Sequence, residues 1–311
     1  MRKFLSVILV IFLAIVSALG YRITQTESSD SASPKPEQSA SVPAGDSVEG
    51  YYDQVLDWSE CNSGFECASF SVPIDYANPG SGAMKIEAIR KLATGTAKGS
   101  LILNPGGPGG SGIEYTTYVE YVVSETLREN FDIVGFDPRG VGRSAPIRCL
   151  TDDETDANYA SDAKPDNAQE FETLVKEAQD YVEKCEKNTK NLTAYSTENT
   201  ARDMDVIRAV LGDEKLNYLG KSYGTYLGTI YAQLFPDKVG RVVLDGAIDP
   251  DATPVQQSIT QAVGFDNALD AFIKDCLQID TCPLPKGATK GYFTDLFDSV
   301  AKKPLTTSTH R

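Results

Sequence analysis

Short apolar runs and longer stretches of helical spacing alternate through the middle of this chain. CASFSVPIDY (67–76) and MKIEAIRKL (84–92) read as strands, with Pro79, Gly80 and Gly82 marking a turn between them. SLILN (100–104) and FDIVGFD (131–137) are short, apolar and bounded by glycine or proline, as strands covered on both faces are. Between them, Ile113 to Arg128 is long enough for one crossover helix. Ala168 to Lys187 spaces Phe171, Leu174, Val175, Ala178, Val182 and Cys185 for an amphipathic helix that carries Cys185 onto the body of the domain. Thr200 to Leu211 sets Met204, Ile207, Val210 and Leu211 on one helical face and stops at Gly212, a suitable C-cap. LNYL (216–219) then predicts a strand, the next stretch a helix stopped by Pro236 after Phe235, and RVVLD (241–245) a further strand. Strand and helix in strict alternation predict an α/β protein with a mostly parallel sheet flanked by helices.

The two ends read differently. Beyond Asp249, helical patterns cover about Gln256 to Leu277 and Tyr292 to Ala301, with no further run of the VVLD type before Arg311. At the other end, Arg2 and Lys3 precede an apolar run from Phe4 to Val16, with small residues Ala18 and Gly20 placed for cleavage before Tyr21. This predicts a secretory signal peptide over 1–20; an uncleaved membrane anchor is the alternative. Residues 21–50, rich in Ser, Pro and charge, predict a flexible spacer. The expected division is then a folded core at 51–250 followed by a helical region at 251–311.

Charge and cysteines narrow the setting. Acids outnumber bases 44 to 29 along the 311 residues, and a net charge of -15 argues against nucleic acid or an anionic membrane surface as partner. Six cysteines in an exported chain suggest disulfides. Cys61 lies near Cys67 and Cys276 near Cys282, which leaves Cys149 and Cys185 for each other. A zinc site is the rival reading, but such sites want tighter cysteine pairs or histidines, and neither a metal nor an organic cofactor is expected.

Two glycine motifs compete for the chemistry. Gly107, Gly109 and Gly112 in GGPGGSG fit a dinucleotide fingerprint after a strand, with Asp137 where a ribose-binding acid would lie. Against that stand Pro108 in the loop, two strands before it, and export away from nicotinamide cofactors. GKSYG (220–224) fits the nucleophile elbow GxSxG between a predicted strand and a predicted helix. There a serine on a strained turn projects its hydroxyl from the sheet, and glycines two places to either side avoid the neighbouring strand and helix. The N–H after the serine faces the developing negative charge, and a second donor comes from a loop after an earlier strand, where 106–110 stands. One reading thus uses both motifs.

LNPGGPGGSG (103–112), FDPRGVGRSAPIRC (136–149) and YLGKSYGTYLGTIYAQLFPDKVGRVVLDGAIDP (218–250) together resemble the secreted tripeptidyl aminopeptidase branch of the α/β-hydrolase fold, related to the proline iminopeptidases. The resemblance implies Ser222 as nucleophile, Gly107 and Tyr223 as oxyanion donors, and Asp137 and Arg139 as shapers of a turn near the site. It also implies that 251–311 begins a helical cap, and that the substrates are peptides with free N-termini, from which short peptides or residues are released. In that family the triad acid and histidine follow the last strands of the sheet. The sole histidine here is His310, in the polar stretch KKPLTTSTHR. The expectation is therefore a truncated chain, with the last strands missing, that keeps the nucleophile and oxyanion donors, with the acid and histidine beyond residue 311. Two other functions compete: an esterase or lipase on the same scaffold, and a noncatalytic exported binding protein.

Overall fold

A computed structural model describes residues 47–303 and Leu305. The expected signal peptide, most of the expected spacer and His310 lie outside the described residues.

Seven strands form one mixed sheet in the order β1-β2-β3-β5-β4-β6-β7. They are β1 (Ser59–Asn62), β2 (Phe65–Pro73), β3 (Ala83–Lys91), β4 (Ser100–Asn104), β5 (Asp132–Phe136), β6 (Leu216–Lys221) and β7 (Val239–Asp245). The first three form an antiparallel meander that joins β5 antiparallel, whereas β5, β4, β6 and β7 run parallel. The apolar strands β4 and β5 lie at the centre of the sheet order, and every residue of β4 is buried, as in a strand covered on both faces. β1 carries no apolar alternation, which is why the sequence pattern passes over it; it is exposed along its whole length.

The first described helix is α1 (Glu49–Tyr52), which starts two residues before the expected start at 51. Tyr51 explains the difference: its ring is fully buried and its hydroxyl donates to the Pro79 carbonyl, so the turn that precedes it is held to the body.

The crossover between β4 and β5 is not one helix but three short ones, α2 (Gly112–Thr117), α3 (Val119–Val122) and α4 (Glu125–Asn130). Within TTYVEYVV the hydroxyls of Thr116 and Thr117 donate to main-chain carbonyls one turn back, and the β-branched run disfavours a continuous helix. Val119, Val123 and Phe131 from this crossover still close over Leu101, Leu103 and Ile133 to make a core cluster. Each such buried side chain contributes about 1.5–3 kcal/mol. Gly112 packs α2 directly on β5, because a Cβ there would collide with the Phe136 main chain. The third glycine of the apparent dinucleotide fingerprint is thus a packing residue.

Two further helices, α5 (Asp152–Tyr159) and α6 (Ala168–Asn188), follow β5. Here the expectation needs correction: α6 does not lay its apolar face on the body. Phe171, Val175 and Val182 are exposed, and Cys185 alone in that helix is buried. Its disulfide to Cys149, rather than a packed stripe, fixes α6 to the rest of the molecule. The other disulfides join Cys61 to Cys67 and Cys276 to Cys282.

Helix α7 (Thr197–Val210) is capped by Ser196, whose hydroxyl accepts from the Asn199 N–H, and buries Met204 and Ile207. It packs beside α8 (Tyr223–Leu234), the helix that follows β6. The last elements are α9 (Pro254–Cys276) and α10 (Lys290–Lys302), tied together by Lys290, which reaches both Asp266 and Asp270. Val255, Ile259 and Val263 on α9 are exposed, as are Val243 and Leu244 on β7, which has β6 on one side and no described strand on the other.

Candidate active site

The centre of interest is the turn between β6 and α8. Ser222 sits there with φ 53 and ψ -123, a conformation that side-chain-bearing residues rarely adopt. The turn is held from three sides. The Ser222 N–H donates to the Asp245 carbonyl at the end of β7 (2.9 Å), and its own carbonyl accepts from the Thr225 N–H (2.8 Å). The Thr225 hydroxyl donates to that same carbonyl at 2.6 Å. Serine at this position is exposed, so its hydroxyl stands free of the packing that fixes its backbone.

The flanking glycines have the steric role the motif requires. A Cβ on Gly220 would collide with the Gly224 carbonyl and the Tyr218 ring, and one on Gly224 would lie 2.8 Å from the Asn104 side-chain oxygen. The Tyr218 hydroxyl donates to the Gly224 carbonyl at 2.7 Å, and burial pushes that phenol well above its ordinary pKa. It therefore stays a neutral donor. The Tyr223 hydroxyl is paired with Thr197 at 2.8 Å, which ties the residue after the nucleophile to the first turn of α7.

The glycine-rich loop after β4 abuts this elbow. Asn104, 2 % exposed, accepts from the Gly106 N–H at 2.9 Å and sets the loop's first turn. Gly106 has φ 93, and an added Cβ would lie 3.0 Å from both the Ser222 Cβ and the Tyr223 nitrogen. Gly107 follows at φ 114, with a cis peptide bond to Pro108, and Gly107 to Gly109 form an exposed tip. The loop and the elbow, 115 residues apart in the sequence, so meet around one point. Tyr223 opens α8, so its N–H belongs to the set that has no partner within the helix.

Asp137, at the end of β5, locks the far side of the same loop. Its carboxylate accepts from the Ser111 hydroxyl (2.5 Å) and from the main-chain N–H groups of Ile113 (3.2 Å) and Arg143 (2.9 Å). It is 1 % exposed and fully engaged, which leaves no place for a ribose hydroxyl. Arg139 reaches away from the loop to Asp203 on α7 in a two-pronged pair, both side chains at 0 % exposure. The guanidinium also donates to the carbonyls of Pro73, Ile74 and Ala194, and the Tyr76 hydroxyl donates to Asp203. Burial pushes the Asp203 carboxyl up from its ordinary pKa, against the lowering pull of Arg139.

Of the expected residues, Ser222 and Tyr223 lie at the elbow and Gly107 in the loop beside it. Sequence reasoning placed Gly106 in the loop 106–110 without singling it out as the residue that stands against the serine, and it passed over Thr225, which braces the turn. Gly106 had a signal, since a loop that must touch an elbow needs its smallest residue at the approach. Lys221 pairs at 3.5 Å with Asp245 at the edge of the site. No histidine occurs among the described residues.

This geometry defines a class: a strained serine turn after a parallel strand, faced by a glycine loop from the neighbouring strand. The chain belongs to the α/β-hydrolase fold family, whose sequence profile matches residues 99–308. More particularly, it is similar to the serine protease Hip1 of Mycobacterium tuberculosis, 39% identical over 259 residues that make up 79% of this chain and 49% of the relative. It is also similar to the tripeptidyl aminopeptidase of Streptomyces lividans, 38% identical over 268 residues, 80% of this chain and 50% of that one. A third relative, carboxylesterase B of M. tuberculosis, is 40% identical over 265 residues, 83% of this chain and 50% of that protein. The chain spans about half the length of these relatives.

Proposed function

We propose that this chain carries the nucleophile and oxyanion donors of an exported serine exopeptidase that releases short peptides or single residues from free N-termini. The observation that carries the reading is the meeting of Ser222, held at φ 53, with the glycine loop that touches it through Gly106. In this reading the Ser222 hydroxyl attacks the scissile carbonyl carbon while a general base takes its proton. The N–H groups of Tyr223 and Gly107 receive the resulting oxyanion. Collapse expels the amine of the downstream peptide, which takes the proton from that base, and water, deprotonated by the same base, then hydrolyses the acyl-enzyme. Residues 51–250 serve as the catalytic core and α9 and α10 as part of a helical cap.

Peptides as substrates are supported by the similarity to a tripeptidyl aminopeptidase and a serine protease. Export is supported by three disulfides, which form outside reducing compartments. No helix among the described residues is long and apolar enough to cross a membrane. The similarity to a carboxylesterase favours a second reading, ester hydrolysis at the same serine.

Labelling with a fluorophosphonate, beside a Ser222→Ala control, tests the nucleophile and its activation together, because a serine without a base reacts slowly. Labelling that disappears in Ser222→Ala would support an activated serine and a base within this chain; a folded chain that takes up no label sinks the acyl-enzyme reading for this chain. Free-amino and acetylated peptide amides, beside matched esters, then separate the two substrate classes.

A further inference from the structure

A cavity of about 440 Å³ opens where α2 meets the strands β1, β2 and β3. Its volume falls in the range of about 300–1,000 Å³ common to small-molecule sites. Ile89, Ile113 and the Cys61–Cys67 disulfide give it apolar walls. Neither Ser222 nor the glycine loop 106–110 lines it, so it lies apart from the nucleophile.

Two residues of opposite charge, Glu114 and Arg143, line this cavity. Both are exposed, and no ion pair or side-chain hydrogen bond engages either one among the described residues. Their main chains are nevertheless fixed by one buried group. The Asp137 carboxylate accepts from the Arg143 N–H at 2.9 Å. It also accepts from the Ser111 hydroxyl, whose oxygen accepts from the Glu114 N–H at 3.0 Å. Asp137 is 1 % exposed, so this frame is set inside the protein. An acid and a base thus stand on anchored backbone at one cavity without neutralising each other, and a pre-set frame costs a ligand less ordering than a mobile one. A lone cation would leave the guanidinium unmet, and a lone anion would leave the carboxylate unmet. A molecule with an ammonium at one end and a carboxylate at the other meets both, and its apolar part faces the isoleucines and the disulfide.

We propose that this cavity binds a small zwitterion, a free amino acid or a peptide of two or three residues, with its ammonium on Glu114 and its carboxylate on Arg143. The proposal goes beyond the peptidase reading and does not rest on it, because the ligand class follows from the two charges and not from Ser222. Under that reading the released N-terminal fragment is itself such a molecule, since hydrolysis of the acyl-enzyme gives it a free carboxylate.

The test uses the full chain carrying Ser222→Ala, so that no probe is turned over. The probes are alanine, dialanine and trialanine, each also with its amino end acetylated or its carboxyl end amidated, and affinities are read from protein chemical shifts in an NMR titration. The probe that fits best is expected to bind about fivefold more weakly when either end is blocked, the worth of one exposed ion pair. Glu114→Gln should erase the loss on acetylation and keep the loss on amidation. Arg143→Gln should do the opposite. Both side chains are exposed, so the variants keep the fold. The length that binds most tightly tells a free amino acid from a short peptide. No binding at any of the three lengths, blocked forms that bind as well as free ones, or selectivity unchanged in both variants would each overturn the proposal. Fluorophosphonate labelling of the unsubstituted chain keeps the two readings apart: an unlabelled chain that binds the zwitterion loses only the acyl-enzyme, and a labelled chain that does not bind it loses only the cavity proposal.

Discussion

The hydroxyl of Thr225 joins the nucleophile turn to the chain that leaves β7: it donates to the Ser222 carbonyl at 2.6 Å and accepts from the Ile248 N–H at 2.9 Å. Thr225 is fully buried, so its hydroxyl is held away from solvent between these two main-chain groups. The unusual backbone angles of Ser222 are therefore maintained by a side chain three residues later. Strain at a functional turn persists only where surrounding bonds over-determine it.

Replacing that hydroxyl should release the strain. Thr225→Val keeps the shape but removes the bond to the Ile248 N–H and weakens the hold on the Ser222 carbonyl, at a cost of about 1 kcal/mol. Urea denaturation should show that loss, and labelling of Ser222 should slow by more than Thr225→Ser, which restores the hydroxyl. Equal labelling rates in the valine and serine variants would show that the hydroxyl does not set the elbow.

Parts of this arrangement are legible from the sequence and parts are not. GKSYG between an apolar run and a helical stretch identifies the elbow, because the same steric demand that builds the turn writes glycine at 220 and 224. The central strands are equally plain, since burial on both faces forces SLILN and FDIVGF to be apolar. Local pattern fails where long-range bonds decide. α6 shows a helical apolar stripe, yet a disulfide holds it and the stripe faces outward. Arg139 and Asp203 lie 64 residues apart, and no periodicity connects them. The crossover helix breaks because threonine hydroxyls bond to the backbone, a competition that apolar spacing does not register.

The Arg139–Asp203 pair should prove strongly asymmetric to mutation. Both groups are fully buried, and together they tie the turn after β5 to α7 and to the end of β2. Asp203→Asn leaves a buried guanidinium without its counter-charge and should cost about 3–5 kcal/mol. The double replacement Arg139→Met with Asp203→Leu removes both charges and should recover much of that loss. Denaturant midpoints of the two variants decide it: a double variant as unstable as the single one would show that the hydrogen bonds to Pro73, Ile74 and Ala194, not the charge pairing, dominate.

The free side of β7 should make the chain associate with itself. Val243 and Leu244 are 57% and 37% exposed on a strand whose outer N–H and C=O groups face no described neighbour. A charge at the centre of such an edge opposes pairing, so Val243→Lys is expected to lower the fraction of oligomer at a given concentration. Sedimentation velocity over a dilution series checks this. A wild-type chain that sediments as a clean monomer at the highest concentration would refute it.

Acid should loosen the tether between α5 and α6. The Lys184 ammonium, with the N–H and hydroxyl of Thr151, lowers the Glu154 carboxyl from 4.5 to about 2. Because the folded pKa lies below the unfolded one, the interaction is at full strength above about 4.5 and is lost as the pH falls through about 2. Both side chains are 42% exposed, so added salt should weaken the effect. An NMR titration of the Glu154 carboxyl is expected to give a midpoint near 2, moved upward by Lys184→Gln, and a wild-type midpoint near 4.5 would remove the tether between α5 and α6.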